Sequence, residues 1–310
     1  MRLLDTATLQ LKEFFGDATP PYAILSHTWE EDEVSLQALA TARHNVPELA
    51  GHTKIRKCCE IAASDGFQYV WIDTCCIDKT NSTELSEAIN SMYRWYEEAV
   101  VCYAYLADVY PTDEIIRFRE RQSSANQFKT SKWFTRGWTL QELLAPSTVV
   151  FFNKTWEDIG SKRSLNELIS DVTKIPLVAL LKFDRTKHTI AQIMSWASNR
   201  RTTRVEDIAY SLLGLFGVHM PMIYGEGRNA FARLQREILK ESTDQSIFAW
   251  APSHTGEWEQ YRGPFATSPA EFAVCGGVTH YHNPSHSEYS LTNKGLRIEL
   301  PVLALSSSVL

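Results

Sequence analysis

The stretch from Tyr69 to Leu106, YVWIDTCCIDKTNSTELSEAINSMYRWYEEAVVCYAYL, decides the fold. It opens with Tyr69-Val70-Trp71-Ile72-Asp73, apolar until a polar residue ends it, as in a strand covered on both faces. Asn81 to Glu84 resembles a capping box, with Asn in place of Ser or Thr. The helix it opens carries Leu85, Ala88, Ile89, Met92, Tyr93 and Tyr96 at spacings of three and four, a long amphipathic face. Val100 to Leu106 then forms another strand, rich in β-branched and aromatic residues. Strand, helix and strand in this order describe a βαβ unit, and hence parallel pairing.

The same alternation extends in both directions. Tyr22-Ala23-Ile24-Leu25-Ser26 reads as the first clear strand, followed by a loop of His27-Thr28-Trp29 and the acidic Glu30 to Glu33. Ile55, Cys58, Cys59 and Ala62 mark a helix that Gly66 stops. A charged segment, Thr112 to Ser131, reads as irregular helix and loop on the surface. Arg136 to Pro146 is a short apolar helical run interrupted by Gln141 and Glu142, and Thr148 to Phe152 is a fourth strand. These elements predict an α/β fold, a parallel sheet with helices on both faces. Right-handed crossovers leave few topologies, of which a flavodoxin-like order is the simplest.

Beyond residue 155 the pattern turns helical. Ser164-Leu165-Asn166-Glu167 reads as a capping box opening a helix through Val172, followed by helical runs at Ile190 to Ala197, Val205 to Phe216 and Arg228 to Glu241. From Gln245 short strands are expected at Ser246 to Ala251, Phe272 to Cys275, Tyr289 to Thr292 and Leu296 to Leu300. The expected organisation is an α/β domain over 1–155, a helical extension over 156–244 and a β-rich region over 245–310. Leu303 to Leu310 carries no stop signal, so a longer parent protein is expected.

Composition narrows the function classes. With 310 residues, 44% of them hydrophobic, the chain has ample core material. A net charge of -6 argues against a nucleic-acid-binding surface. The chain lacks an apolar run long enough to span a bilayer, and Met1 to Thr8 lacks the apolar region of a secretory signal, so a cytoplasmic protein is expected. Cys58, Cys59, Cys75, Cys76, Cys102 and Cys275 show no C-x-x-C spacing and read as buried reduced thiols, with no metal site called for.

Open α/β sheets bind ligands outside the carboxyl ends of their strands, where Ser26-His27, Asp73-Thr74 and Asp108 fall. Glu142 lies between Leu140, Leu143 and Leu144 and is placed near the rim of that buried face. Two readings stay open for it: pairing with Arg136, or chemistry. Ser26 and Asp73 serve either as turn formers or as ligand contacts, and His27 as a structural hydrogen-bonder or a base. Trp29, Trp71 and Trp138 are core residues by default. The acidic run Glu30 to Glu33 reads as a solvated loop, with a metal contact as the alternative. Cys75-Cys76 with His27 can be drawn as a nucleophile and base, though nothing visible lowers a thiol pKa. Gly225-Glu226-Gly227-Arg228 reads as a tight turn or an anion-binding helix start.

Three blocks, Ala23 to Trp29, Tyr69 to Lys79 and Arg136 to Pro146, resemble the signature of the fungal heterokaryon incompatibility (HET) domain. Arg204 to Gly214 with Met222 to Gly227 resembles the segment that commonly follows it. The resemblance covers roughly residues 1 to 250. It implies a filamentous fungus, a cytosolic protein, a part in programmed cell death on non-self recognition, and NLR-type sensor domains in cis or trans. A more distant resemblance links Trp138-Thr139-Leu140-Gln141-Glu142-Leu143 to the Trp-Cys-Leu-x-Glu-Leu run of plant TIR domains, with Thr139 replacing Cys. It implies a TIR-like fold, self-association, and NAD or a related nucleotide as the substrate, not a cofactor, with NAD cleaved at the nicotinamide–ribose bond by Glu142.

On that reading Glu142 stabilises an oxocarbenium-like transition state, as a carboxylate does in glycoside hydrolysis. Trp29 and Trp138 stack on a base or on the pyridinium ring, and Arg136 pairs with the diphosphate. Ser26, His27 and Asp73 complete the substrate contacts. The alternative is a non-enzymatic self-assembly module that signals by recruitment.

Overall fold

The computed structural model describes residues 1–41, 50–111, 124–252, 263–279 and 289–298. Its centre is a sheet of seven strands: β1 (Arg2–Asp5), β2 (Leu11–Glu13), β3 (Ala23–His27), β4 (Tyr69–Trp71), β5 (Val101–Tyr105), β6 (Val149–Phe152) and β7 (Asp158–Ser161). They run in the order β2-β1-β4-β3-β5-β6-β7. The middle four, β4, β3, β5 and β6, are parallel and are the four strands expected from the sequence. All five residues of β3 and all five of β5 are buried, which is why they read as unbroken apolar runs.

The sheet is mixed, not wholly parallel. A hairpin of β1 and β2 pairs antiparallel with β4 at one edge, and β7 pairs antiparallel with β6 at the other. The hairpin escapes a periodicity reading because β1 is only four residues long. A buried side chain, that of Asp5, fixes its turn by accepting from the Ala7 and Thr8 amides and the Lys12 ammonium. Burial works to raise the Asp5 pKa, but Lys12 and Thr8 together bring it down to about 2.

Helices α1 (Leu36–Thr41) and α2 (Ala50–Ser64) connect β3 to β4, and α3 (Asp73–Cys76) and α4 (Ser82–Glu98) connect β4 to β5. Helices α5 (Ser124–Thr130) and α6 (Thr139–Leu144) connect β5 to β6. Part of the charged segment expected after β5, residues 112–123, lies outside the described residues. The strand order reverses at β3, so right-handed connections put α2 on one face and both α4 and α6 on the other. The latter two do pack together. Asn81 caps α4 by accepting from the Thr83 and Glu84 amides, but the capping box is half made. Glu84 turns instead to the Asp78 amide and to Arg2.

The extension comprises α7 (Asn166–Thr173), α8 (Leu177–Leu181), α9 (Ile190–Ala197), α10 (Asp207–Tyr210), α11 (Leu213–Phe216) and α12 (Asn229–Glu241). The capping box expected at Ser164 is absent, because the Ser164 hydroxyl accepts from the Ser161 amide in the turn after β7. A true capping box joins Thr189 and Gln192 at α9. The helix expected over Val205 to Phe216 is broken into α10 and α11. This break seats Gly214 against α4, where a Cβ would fall 2.0 Å from that of Tyr93.

Two of the expected C-terminal strands are 3-10 turns. Residues Gln245–Phe248 form a turn capped by Asp244, and Pro269–Phe272 and Cys275–Gly277 form two more. Their apolar residues Ile247 and Phe272 are buried anchors, and the turns pack on α9 in place of a strand ladder. Strands β8 (Ser290–Thr292) and β9 (Gly295–Arg297) do pair, antiparallel. Of the strand expected at Leu296 to Leu300, residues 299 and 300 lie outside the described residues.

Candidate active site

Helix α6 is short, and all six of its residues are buried, Gln141 and Glu142 included. Glu142 therefore does not sit on the rim of a one-sided apolar face. The helix packs on β3 and α4 on one side and on α8 of the extension on another. Arg200, fully buried, fastens its start by donating to the Arg136 carbonyl at 2.9 Å and to Thr139 Oγ1 at 2.8 Å. Lys162 fastens its end by donating to the Leu143 and Pro146 carbonyls.

The Glu142 carboxyl accepts from the Ser26 hydroxyl at 2.5 Å, and Ser26 Oγ accepts in turn from the Trp133 indole at 2.8 Å. Tyr96, whose hydroxyl donates to the Leu25 carbonyl, stands beside the same carboxyl. Burial pushes the Glu142 pKa up to about 8, against the opposing pull of the Ser26 hydrogen bond and of the Arg200 and Arg136 charges. Arg136 does not pair with it. Both terminal nitrogens of that guanidinium point to Thr203 Oγ1, at 3.3 and 3.2 Å.

Glu142 lines a cavity of about 250 Å³. His27, Trp29, Asp73, Arg136 and Trp138 line it too, so six of the seven candidate site residues meet at one cavity. Ser26 is the seventh and does not line the cavity; it is wholly buried and donates to the Glu142 carboxyl. The cavity lies at the carboxyl ends of β3 and β4, beside the point where the strand order reverses.

Trp29 is not a core residue; it is 54% exposed. Its indole donates to Asp73 at 2.8 Å, and the Lys79 ammonium sits over its ring at 3.6 Å. Trp71 is fully buried in β4 and Trp138 partly buried. His27 Nε2 lies 3.5 Å from Glu33 and 3.8 Å from Asp73, longer than hydrogen bonds. The acidic run is not uniformly solvated. Glu33 turns inward to Lys54 at 2.5 Å, and although burial works to raise its pKa, His27 and Lys54 hold it down at about 2.

The other candidates resolve differently. Cys75 and Cys76 are buried and free, and burial pushes the thiols of Cys58, Cys59 and Cys102 up, away from nucleophilic use. Asp108 accepts from Ser131 and the Lys132 amide, holding the turn before α6. The Gly225–Gly227 turn does bind an anion, the protein's own. Glu206 accepts from the amides of both glycines. No group of three or more His, Cys, Asp or Glu side chains able to hold a metal occurs among the described residues. Nor is any helix among them long and apolar enough to cross a membrane.

Comparison with known proteins identifies the family. The model of the heterokaryon incompatibility protein family (HET) matches residues 22–125. The chain is 51% identical over 236 residues to the vegetative incompatibility protein HET-E-1 of Podospora anserina. The chain carries a HET domain. A family described only as a domain of unknown function matches residues 229–262. The match to HET-E-1 takes in 74% of this chain but spans only 17% of that relative's length. No solved structure matches the chain.

The cavity is not confined to the matched HET span. His27, Trp29, Asp73 and the α4 residues Leu85, Ile89 and Met92 lie within it; Arg136, Trp138 and Glu142 follow it. Thr203, Arg204, Asp207 and Tyr224 complete the wall from the extension. Sequence reasoning assigned none of these four to the site. For Arg204, Asp207 and Tyr224 the one signal is their place in the segments that resemble what commonly follows the HET domain; Thr203 lies just outside those segments.

Proposed function

We propose that this HET domain cleaves NAD at the nicotinamide–ribose bond and acts as the cell-death effector of vegetative incompatibility. The observation carrying this reading is the Glu142 carboxyl, buried, held by Ser26 and facing a cavity walled by Trp29, Trp138 and Arg136. The order of the four parallel strands, second-first-third-fourth, is the order of a TIR-like or flavodoxin-like sheet and supports the fold half of the argument. The incompatibility role rests on the likeness to HET-E-1. A cytoplasmic setting, NLR-type sensor domains in cis or trans and self-association belong to the same proposal.

The chemistry follows from the carboxyl's surroundings. Before substrate binds, Glu142 is largely protonated at neutral pH, since burial holds its pKa at about 8. A pyridinium ring carries a fixed positive charge, and its arrival lowers that pKa and favours the carboxylate. The carboxylate then stabilises the growing positive charge on the ribose as neutral nicotinamide departs, and water completes the hydrolysis. The leaving group needs no proton, so one carboxylate suffices.

The test is nicotinamide release from NAD by concentrated, deliberately oligomerised protein, beside a folded Glu142→Ala variant. Release by the wild type that falls at least about a hundredfold in the variant is expected. No release under forced assembly, with full toxicity of the variant in cells, would establish the assembly-module reading instead.

A further inference from the structure

We propose that Arg204, from the helical extension, joins Arg136 to form a two-guanidinium arm that takes the diphosphate of the substrate. This inference rests on the nucleotide reading above and deepens it.

Both arginines line the Glu142 cavity, yet they come from segments almost seventy residues apart. Thr203 links them: it accepts from both terminal nitrogens of Arg136 and directly precedes Arg204 in the chain. Arg136 thus spends its fork on one neutral hydroxyl. The Arg204 guanidinium lies over the Tyr224 ring, 4.3 Å from its centre, and the residue is exposed. Neither arginine forms an ion pair among the described residues.

The carboxylates whose charge Arg204 does feel are committed elsewhere. Glu206 accepts from the Gly225 and Gly227 amides, and Asp207 accepts from the Tyr224 hydroxyl at 2.9 Å. These bonds fix the segment carrying Arg204 and Tyr224, so the guanidinium is presented on a held ring and not on a free stem. Two forked cations without carboxylate partners, on one cavity, suit a ligand bearing two adjacent phosphates, one for each fork. Glu142, Trp29 and Trp138 are left to the nicotinamide riboside end.

The test is calorimetric titration of the full chain with ADP-ribose and with nicotinamide riboside, which has no phosphate. Arg204→Gln is expected to weaken ADP-ribose binding about tenfold or more, the loss of one charge-assisted contact. Nicotinamide riboside affinity should stay within about twofold, and Arg204→Lys should restore part of the ADP-ribose affinity. Equal ADP-ribose binding by Arg204→Gln and wild type overturns this assignment and leaves the nucleotide reading standing. Wild type binding nicotinamide riboside but not ADP-ribose does the same. If wild type binds neither ligand, the nucleotide reading falls and takes the arm with it.

Discussion

The two halves of the cavity are built in opposite ways. On the sheet side, Glu142, Ser26, His27 and Tyr96 are buried and held by the carboxyl ends of parallel strands and the helices on them. On the extension side, Thr203 and Arg204 are exposed, and their segment is held by side chains. Glu206 binds a glycine turn, Tyr224 binds Asp207, and Glu226 ties Tyr210 to Arg233. The first half tunes a carboxyl by denying it water. The second keeps its charges in water, where they are well placed to meet a ligand. Changes to the two halves should therefore fail differently.

The largest effect is expected from Glu142→Gln. It keeps the shape and an acceptor for the Ser26 hydroxyl but cannot ionise, so nicotinamide release should fall about a hundred- to a thousandfold. The wild-type rate at low substrate should rise with pH and level off above about 8, because the free enzyme must lose the proton from Glu142. Stability should move the other way. The folded-state pKa is raised, so the carboxyl's stabilising contribution is complete below about 4.5 and is lost as pH rises through about 8. Glutamine carries no such loss. Melting temperatures of the variant and the wild type should therefore diverge in the variant's favour as pH rises; a constant difference would mean the carboxyl is solvated and the contrast between the halves mistaken.

Gly214→Ala attacks the seam between the halves. The new methyl would sit 2.0 Å from Tyr93 Cβ, an atom fixed to the backbone of α4 that no rotamer change can move. The helices must part, at a cost of about 1–3 kcal/mol. Because α11 follows directly on the segment bearing Arg204 and Asp207, ADP-ribose affinity should fall together with the melting temperature. An unchanged affinity in a destabilised protein would show that the extension wall is positioned independently of α4.

The sheet half was legible in the sequence and the extension half was not, for a physical reason. A strand buried on both faces must be apolar along its length, so the polar residue ending the run announces the ligand-binding end. Ser26 and Asp73 announce themselves in this way. The motif marks Glu142 but not its burial, since helical spacing reports one face and cannot foresee a second layer covering the other. The antiparallel edges were missed because β1 and β2 are too short to show a period. Thr203, Arg204, Asp207 and Tyr224 look like ordinary surface residues until folding brings them against Trp138 and Arg136, and no local pattern encodes that meeting.

Tyr224→Phe gives the smallest effect and the finest separation. It removes the hydroxyl that donates to Asp207 at 2.9 Å but keeps the ring under Arg204. Losing one hydrogen bond should cost about 0.5–1.5 kcal/mol. Burial raises the Asp207 pKa, and the Tyr224 hydroxyl and Trp138 oppose it. Without the hydroxyl the pKa should climb further, so the penalty is small in acid, where the carboxyl is neutral in both proteins, and grows as pH rises and the carboxylate loses its donor. Urea melts at several pH values measure this directly. ADP-ribose affinity should change little, because a phenyl ring still supports a guanidinium. A large loss of affinity with a pH-independent stability change would instead make the hydroxyl itself a ligand contact, and the extension half would then bind by more than its charges.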